Sequence, residues 1–158
     1  MHIMDIIIQL VVSFFATAGI AIIFNVPRKT LLHCGLVGVI GWIIYYILTE
    51  QGMDVVKASF FGSFVIAIVA HLYARRFKIP MIIFIVGGII PLVPGGMAYN
   101  AMRNVVEDDY LQGLQYGLKA FLITGAIVIG LVFAEVIIQL IFRSVRSSKV
   151  KFQKVYKK

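Results

Sequence analysis

Residues 79–97 read Ile-Pro-Met-Ile-Ile-Phe-Ile-Val-Gly-Gly-Ile-Ile-Pro-Leu-Val-Pro-Gly-Gly-Met. An uncharged run of this length suffices to cross a bilayer as a helix, which takes roughly 20 residues. Yet Pro91 and Pro94 each remove a backbone donor and crowd the preceding turn, so an unbroken helix through them is excluded. Gly95 and Gly96 give the backbone access to positive φ beside them. Irregular backbone at membrane depth survives only where it is buried in protein or lines a cavity. The stretch predicts a membrane helix broken in its second half, and with it an all-α integral membrane protein.

Four further apolar runs meet the same length test: residues 6–24, 31–48, 55–74 and 120–142. With 79–97 as the fourth, they predict five helices over residues 1–142 and a separate basic tail, 143–158. The composition agrees. Of 158 residues, 61% are hydrophobic and 14% charged, with a mean hydropathy of +0.97; about a quarter of a soluble domain is charged. A disordered chain, a nucleic-acid module and most soluble enzymes are excluded. No signal-peptide cleavage pattern follows the first run, so it reads as a retained helix. The single cysteine, Cys34, rules out a disulfide framework and a Cys-based metal site. No metal-ligand spacing or nucleotide fingerprint occurs, and no cofactor is expected.

The net charge of +8 reflects topology rather than nucleic acid. Five spans put Arg28 and Lys29, then Arg75, Arg76 and Lys78, and the tail on one side. That side collects twelve of the fifteen basic residues. The other receives Lys57, Arg103 and Lys119 with six of the seven acids, Asp5, Glu50, Asp54, Glu107, Asp108 and Asp109. Four spans would spoil this sorting. The bias predicts an external N-terminus and a cytoplasmic C-terminus in a multi-pass plasma-membrane protein. The tail has no acid and should lie on anionic lipid, at about 1 kcal/mol per basic residue near the surface.

Polar residues inside the spans mark the interior. Gln9, Ser13 and Thr17 recur every four residues and drift about 40° per step, forming one stripe. Thr124, Glu135 and Gln139 form a second in the last helix, on a line with Gly117. Glu135 stands apart as a carboxyl within a span, the kind of group a proton-coupled carrier uses, which makes it the proton-coupling candidate. His33 and His71 read as interfacial residues. Glycines of the second helix and Ser59, Ser63, Ala67, Ala70 and Ala74 of the third make small faces for close packing. At the break, free backbone groups of a discontinuous helix suit a substrate. A helix starting near Met97 would favour a carboxylate at its N-terminus, with Tyr99 and Asn100 hydrogen-bonding other polar groups. Pro91, Pro94, Gly95 and Gly96 complete that candidate site.

Certain motifs carry a family resemblance. Phe24-Asn25-Val26-Pro27, the glycine-spaced second helix and Pro91-Leu92-Val93-Pro94-Gly95 with Ala98-Tyr99-Asn100-Ala101-Met102 resemble the small-subunit branch of the threonine/serine exporter family. The resemblance covers roughly residues 20–119. It implies a split transporter with a larger membrane partner, and substrates of the threonine/serine or succinate-like dicarboxylate class. It adds Asn25 to the substrate-binding candidates. His33 before Cys34, and Asn100, depart from the family's pattern and leave both substrate classes open. The expected function is thus a secondary exporter subunit. A non-transporting scaffold subunit is the alternative. A channel lacks a filter sequence, and an enzyme would lack a nucleophile–base pair.

Overall fold

Residues in the left-handed region stop the helices: Asn25 (φ 55°), Gly52 (84°), Lys78 (56°) and Asp108 (62°). At the first of these stops, the Phe24 and Val26 N–H groups reach back to Ile20 and Ala21 carbonyls at 3.0 Å, closing helix ends that would otherwise carry unpaired oxygens. Pro27 then starts the next helix. The Asp54 carboxylate caps the third by accepting the Val56 N–H at 3.2 Å. The structure is a computed structural model that describes residues 3–155, with side chains described for Met4 and residues 6–142.

The elements are α1 (Ile3–Ile23), α2 (Arg28–Glu50), α3 (Val55–Phe77), α4 (Met81–Ile89), a 3₁₀ turn (Ile90–Leu92), α5 (Gly95–Val106) and α6 (Tyr110–Val155). Four of these helices are long and apolar enough to cross a membrane. Counting Met81–Leu92 and Gly95–Val106 as one span bent by 50°, there are five. The all-α membrane fold expected from the apolar runs is therefore what forms. One boundary differs: the last helix begins at Tyr110 rather than near 120. The basic tail continues α6 as helix to Val155; its expected lipid contact lies outside the described side chains.

Small residues set the packing, because lipid offers no hydrophobic drive for one helix to leave it for another. The α1–α2 contact forms where Thr17 lies over Gly38 and Phe14 over Gly35. Gly41 of α2 receives Ile66 of α3, and Gly88 of α4 leaves room for Val37 and Ile66. Val37, Ile66 and Phe84 are the large side chains at the centre, with Cys34 and Ala70 beside them. Cys34 fills space there.

The α3–α6 seam fixes direction. Gly130 meets Ser63, Phe133 lies by Phe60 and Phe64, and Phe142 stacks on His71. The two helices run parallel, so the bent pair α4–α5 carries the chain back between them. This leaves a basic end at Arg28 and Arg75 and an acidic end at Glu50, Asp54 and Glu107. The seam also yields a prediction. A Cβ on Gly130 would stand 2.6 Å from the Phe60 carbonyl and meet the Ser63 hydroxyl, whereas one on Gly125 would meet nothing within 4 Å. Gly130→Ala is expected to cost about 1–3 kcal/mol as α6 is pushed off α3, and Gly125→Ala nothing. Thermal melts of the two purified variants in detergent check this.

Candidate functional site

Pro91 and Pro94 shape the break as their chemistry requires. Pro91 sits in the 3₁₀ turn, Val93 is extended (φ −63°, ψ 129°), and Pro94 stands before α5. The Gly95 N–H turns back to the Val93 carbonyl at 2.8 Å and the Ala98 N–H to the Pro94 carbonyl at 3.1 Å. Gly95 and Gly96 open α5 in helical conformation. The positive φ expected of them is absent, because the prolines and Val93 already make the bend. An added Cβ at either glycine meets nothing within 4 Å, so the fold itself does not demand glycine there.

One cleft brings the break and the first polar stripe together. Pro91 closes a cavity of about 240 Å³ whose other walls are Ile8, Gln9, Val12, Ser13, Ala16 and Trp42. That is room for several waters or one small organic molecule. The Trp42 Nε1–H donates to Gln9 Oε1 at 3.1 Å and holds the amide in place. Ser13 is 5% exposed, and its hydroxyl has no hydrogen-bond partner. A buried polar group left unpaired costs roughly 1–3 kcal/mol, so this oxygen is a standing demand for a partner inside the cleft. Thr17 is satisfied: its hydroxyl donates to the Ser13 carbonyl at 2.9 Å, and it packs under Gly38. Ser13 lies ten residues from either end of α1, near mid-membrane depth.

Other expected site residues lie elsewhere. Gly95, Gly96 and Tyr99 face outward, Tyr99 being 67% exposed. Asn100 is half-buried, and its carbonyl accepts the Asn104 amide at 2.7 Å. Asn25 sits twelve residues beyond Ser13, about 18 Å along the chain at 1.5 Å rise. Its left-handed backbone forms the α1–α2 turn, and it does not line the cleft. The second polar stripe does not join the interior of this chain. Thr124, Glu135 and Gln139 are exposed on the flank of α6. Thr124 donates to the Ala120 carbonyl at 2.9 Å, and the Gln139 amide to Glu135 Oε1 at 3.1 Å. Gly113 and Gly117, on the same line nearer the acidic end, lie under Ala101 of α5. Sequence reasoning missed Trp42. The signal for it was the lone tryptophan of the chain, but no local spacing links it to Gln9, 33 positions away.

Among the described residues no group of three or more His, Cys, Asp or Glu side chains could hold a metal ion. Residues 9–137 match the family described as Threonine/Serine exporter, ThrE. A protein of Haemophilus influenzae (strain ATCC 51907 / DSM 11121 / KW20 / Rd), named only as uncharacterized, is 32% identical over 121 residues. The matched region covers 72% of this chain and 41% of that relative, so the chain spans about two fifths of its length. No solved structure matches. The match runs from Gln9 through the cleft and the break to Ile137 and leaves out little but the ends; the chain is a multi-pass membrane protein belonging to the threonine/serine exporter family.

Proposed function

We propose that the chain is the membrane subunit of a secondary exporter for threonine and serine or for small dicarboxylates such as succinate. Export is coupled to proton entry and needs a larger membrane subunit. The observation that carries this is the unpartnered Ser13 hydroxyl beside Pro91, in a cleft at the break of a discontinuous helix. Discontinuous helices and mid-membrane sites are the architecture of secondary carriers. Gln9 and Ser13 offer hydrogen bonds, and the other walls of the cleft are apolar but for the Trp42 N–H, which Gln9 takes. The amides of Gly96 and Met97, in the first turn of α5, suit a carboxylate, with Tyr99 and Asn100 as further donors. In a bacterial cytoplasmic membrane, the basic residues put the N-terminus outside and the C-terminus inside. The tail rests on anionic lipid.

The larger subunit is supported by what this chain leaves uncovered. Glu135, Gln139 and Thr124 face outward from a span, as do Gly95, Gly96 and Tyr99. Such groups are unfavourable against lipid and call for protein cover. The remaining three fifths of the longer relative offer a natural source for that cover. Glu135 is the group that carries the proton.

Efflux from cells loaded with labelled threonine, serine or succinate tests the proposal. Export of at least one is expected when the chain and its larger partner are produced together, and none from the chain alone. Full export by the chain alone would make the partner dispensable. A stable complex exporting none of the three would leave the chain a scaffold.

A further inference from the structure

The basic end of the α3–α6 seam holds a cluster that the cleft does not use. Arg75 Nε–H donates to His71 Nε2 at 2.9 Å. A guanidinium has no acceptor, so Nε2 must carry a lone pair: the imidazole is neutral, with its proton on Nδ1. Nδ1 in turn faces Met81 Sδ, at the first residue of α4, at 3.2 Å. The His71 ring stacks on Phe142 with centroids 5.6 Å apart, and the Arg75 guanidinium carbon stands 3.0 Å over the same ring. Glu135 lies on α6 two turns before Phe142, hence on the same face, and its charge acts on His71. Among the described residues, the charged groups that act on this imidazole are Arg75 from its own helix and Glu135 from α6; α4 presents only Met81.

We propose that His71, hydrogen-bonded to Arg75, stacked on Phe142 and facing Met81, is a proton-binding site joining α3, α4 and α6. The hydrogen bond from Arg75 fits its unprotonated form. When the Nε2 lone pair takes a proton from water at the basic end, the acceptor becomes a donor. The Arg75–His71 hydrogen bond breaks, and two cations then face each other across one Phe142 ring. Arg75 is expelled, and the imidazolium stays stacked on the face of the Phe142 ring. The exchange alters contacts at the first residue of α4, the helix that leads to the break. This deepens the proton-coupled reading and rests on it for a purpose, though the binding itself does not.

The test is a ¹⁵N-histidine NMR titration of the full chain in lipid nanodiscs, with the His71 signal assigned by its loss in His71→Gln. His71 is expected as the Nδ1–H tautomer at high pH and as imidazolium at low pH, within about pH 5 to 9. Arg75→Gln and Glu135→Gln should move its midpoint in opposite directions, because one removes a cation and the other an anion. An imidazole that does not titrate in that window, or whose midpoint neither variant moves, is a packing residue, and the proposal falls. If His71 titrates as expected while export proves independent of the proton gradient, the transport coupling fails and the proton site stands.

Discussion

Export by a Ser13→Leu variant is expected to drop to background, with the protein still inserted and assembled. Leucine puts three more carbons into the cleft between Gln9, Trp42 and Pro91, where the structure leaves about 240 Å³. The paired variant Ser13→Ala separates binding from folding. It removes a buried hydroxyl that has no partner, so the resting protein loses nothing and its melting temperature should hold or rise. Transport should move the other way. A hydrogen bond to substrate worth about 1.4 kcal/mol, within the usual range for polar groups, corresponds to about a tenfold loss. Efflux of labelled threonine and thermal melts on the same two variants supply the readings. Equal export by Ser13→Ala and wild type would remove the cleft from the substrate path.

The second large effect is a difference of side. A reporter inserted near Asp108 should be external, and one fused after Lys158 cytoplasmic. The parallel run of α3 and α6 brings the end of the α6 span beside Arg75. Arg75, Arg76 and Lys78 gather there, with the tail's basic residues following in sequence. Glu50, Asp54, Glu107, Asp108 and Asp109 occupy the two turns at the opposite end. The positive-inside bias predicts that the side retaining Lys and Arg is cytoplasmic. Reporters on one common side would mean that α4 and α5 enter and leave by the same surface, so that only four helices cross.

The first three helices were legible because their apolar runs stop at residues that turn chains: Asn25 before Pro27, Gly52 before Asp54, and Lys78 before Pro80. The start of α6 was hidden. Residues 110–119 contain Gln112, Gln115, Lys119 and two glycines, which alone resemble a loop. They are helical because Ala101 and Val105 of α5 pack onto Gly113 and Gly117, a contact that no local pattern announces. The site was half legible for the same reason. Four-residue spacing was enough to place Gln9 and Ser13 on one inward stripe, and proline chemistry to place the break. The stripe through Thr124, Glu135 and Gln139 does run as a line along α6, but one exposed in this chain. Angular spacing within one helix does not say which neighbour covers it. Tyr99 is a further case, because its direction depends on the size of the bend, 50°, which proline chemistry alone does not give.

That bend has a mechanical meaning. The arm before it, α4, is lodged among α1, α2 and α3, while the arm after it, α5, is seated on α6. The two arms thus belong to different bodies, joined by a strip of chain five residues long, 90–94. A continuous helix would act as a stiff strut, forcing both bodies to move as one. The proline strip acts as a fulcrum instead. Were α6 to shift along its seam with α3, α5 would travel with it, and the displacement would reach Pro91, the residue that forms one wall of the Ser13 cleft. The width of that cleft would then follow the position of a helix that does not itself line it.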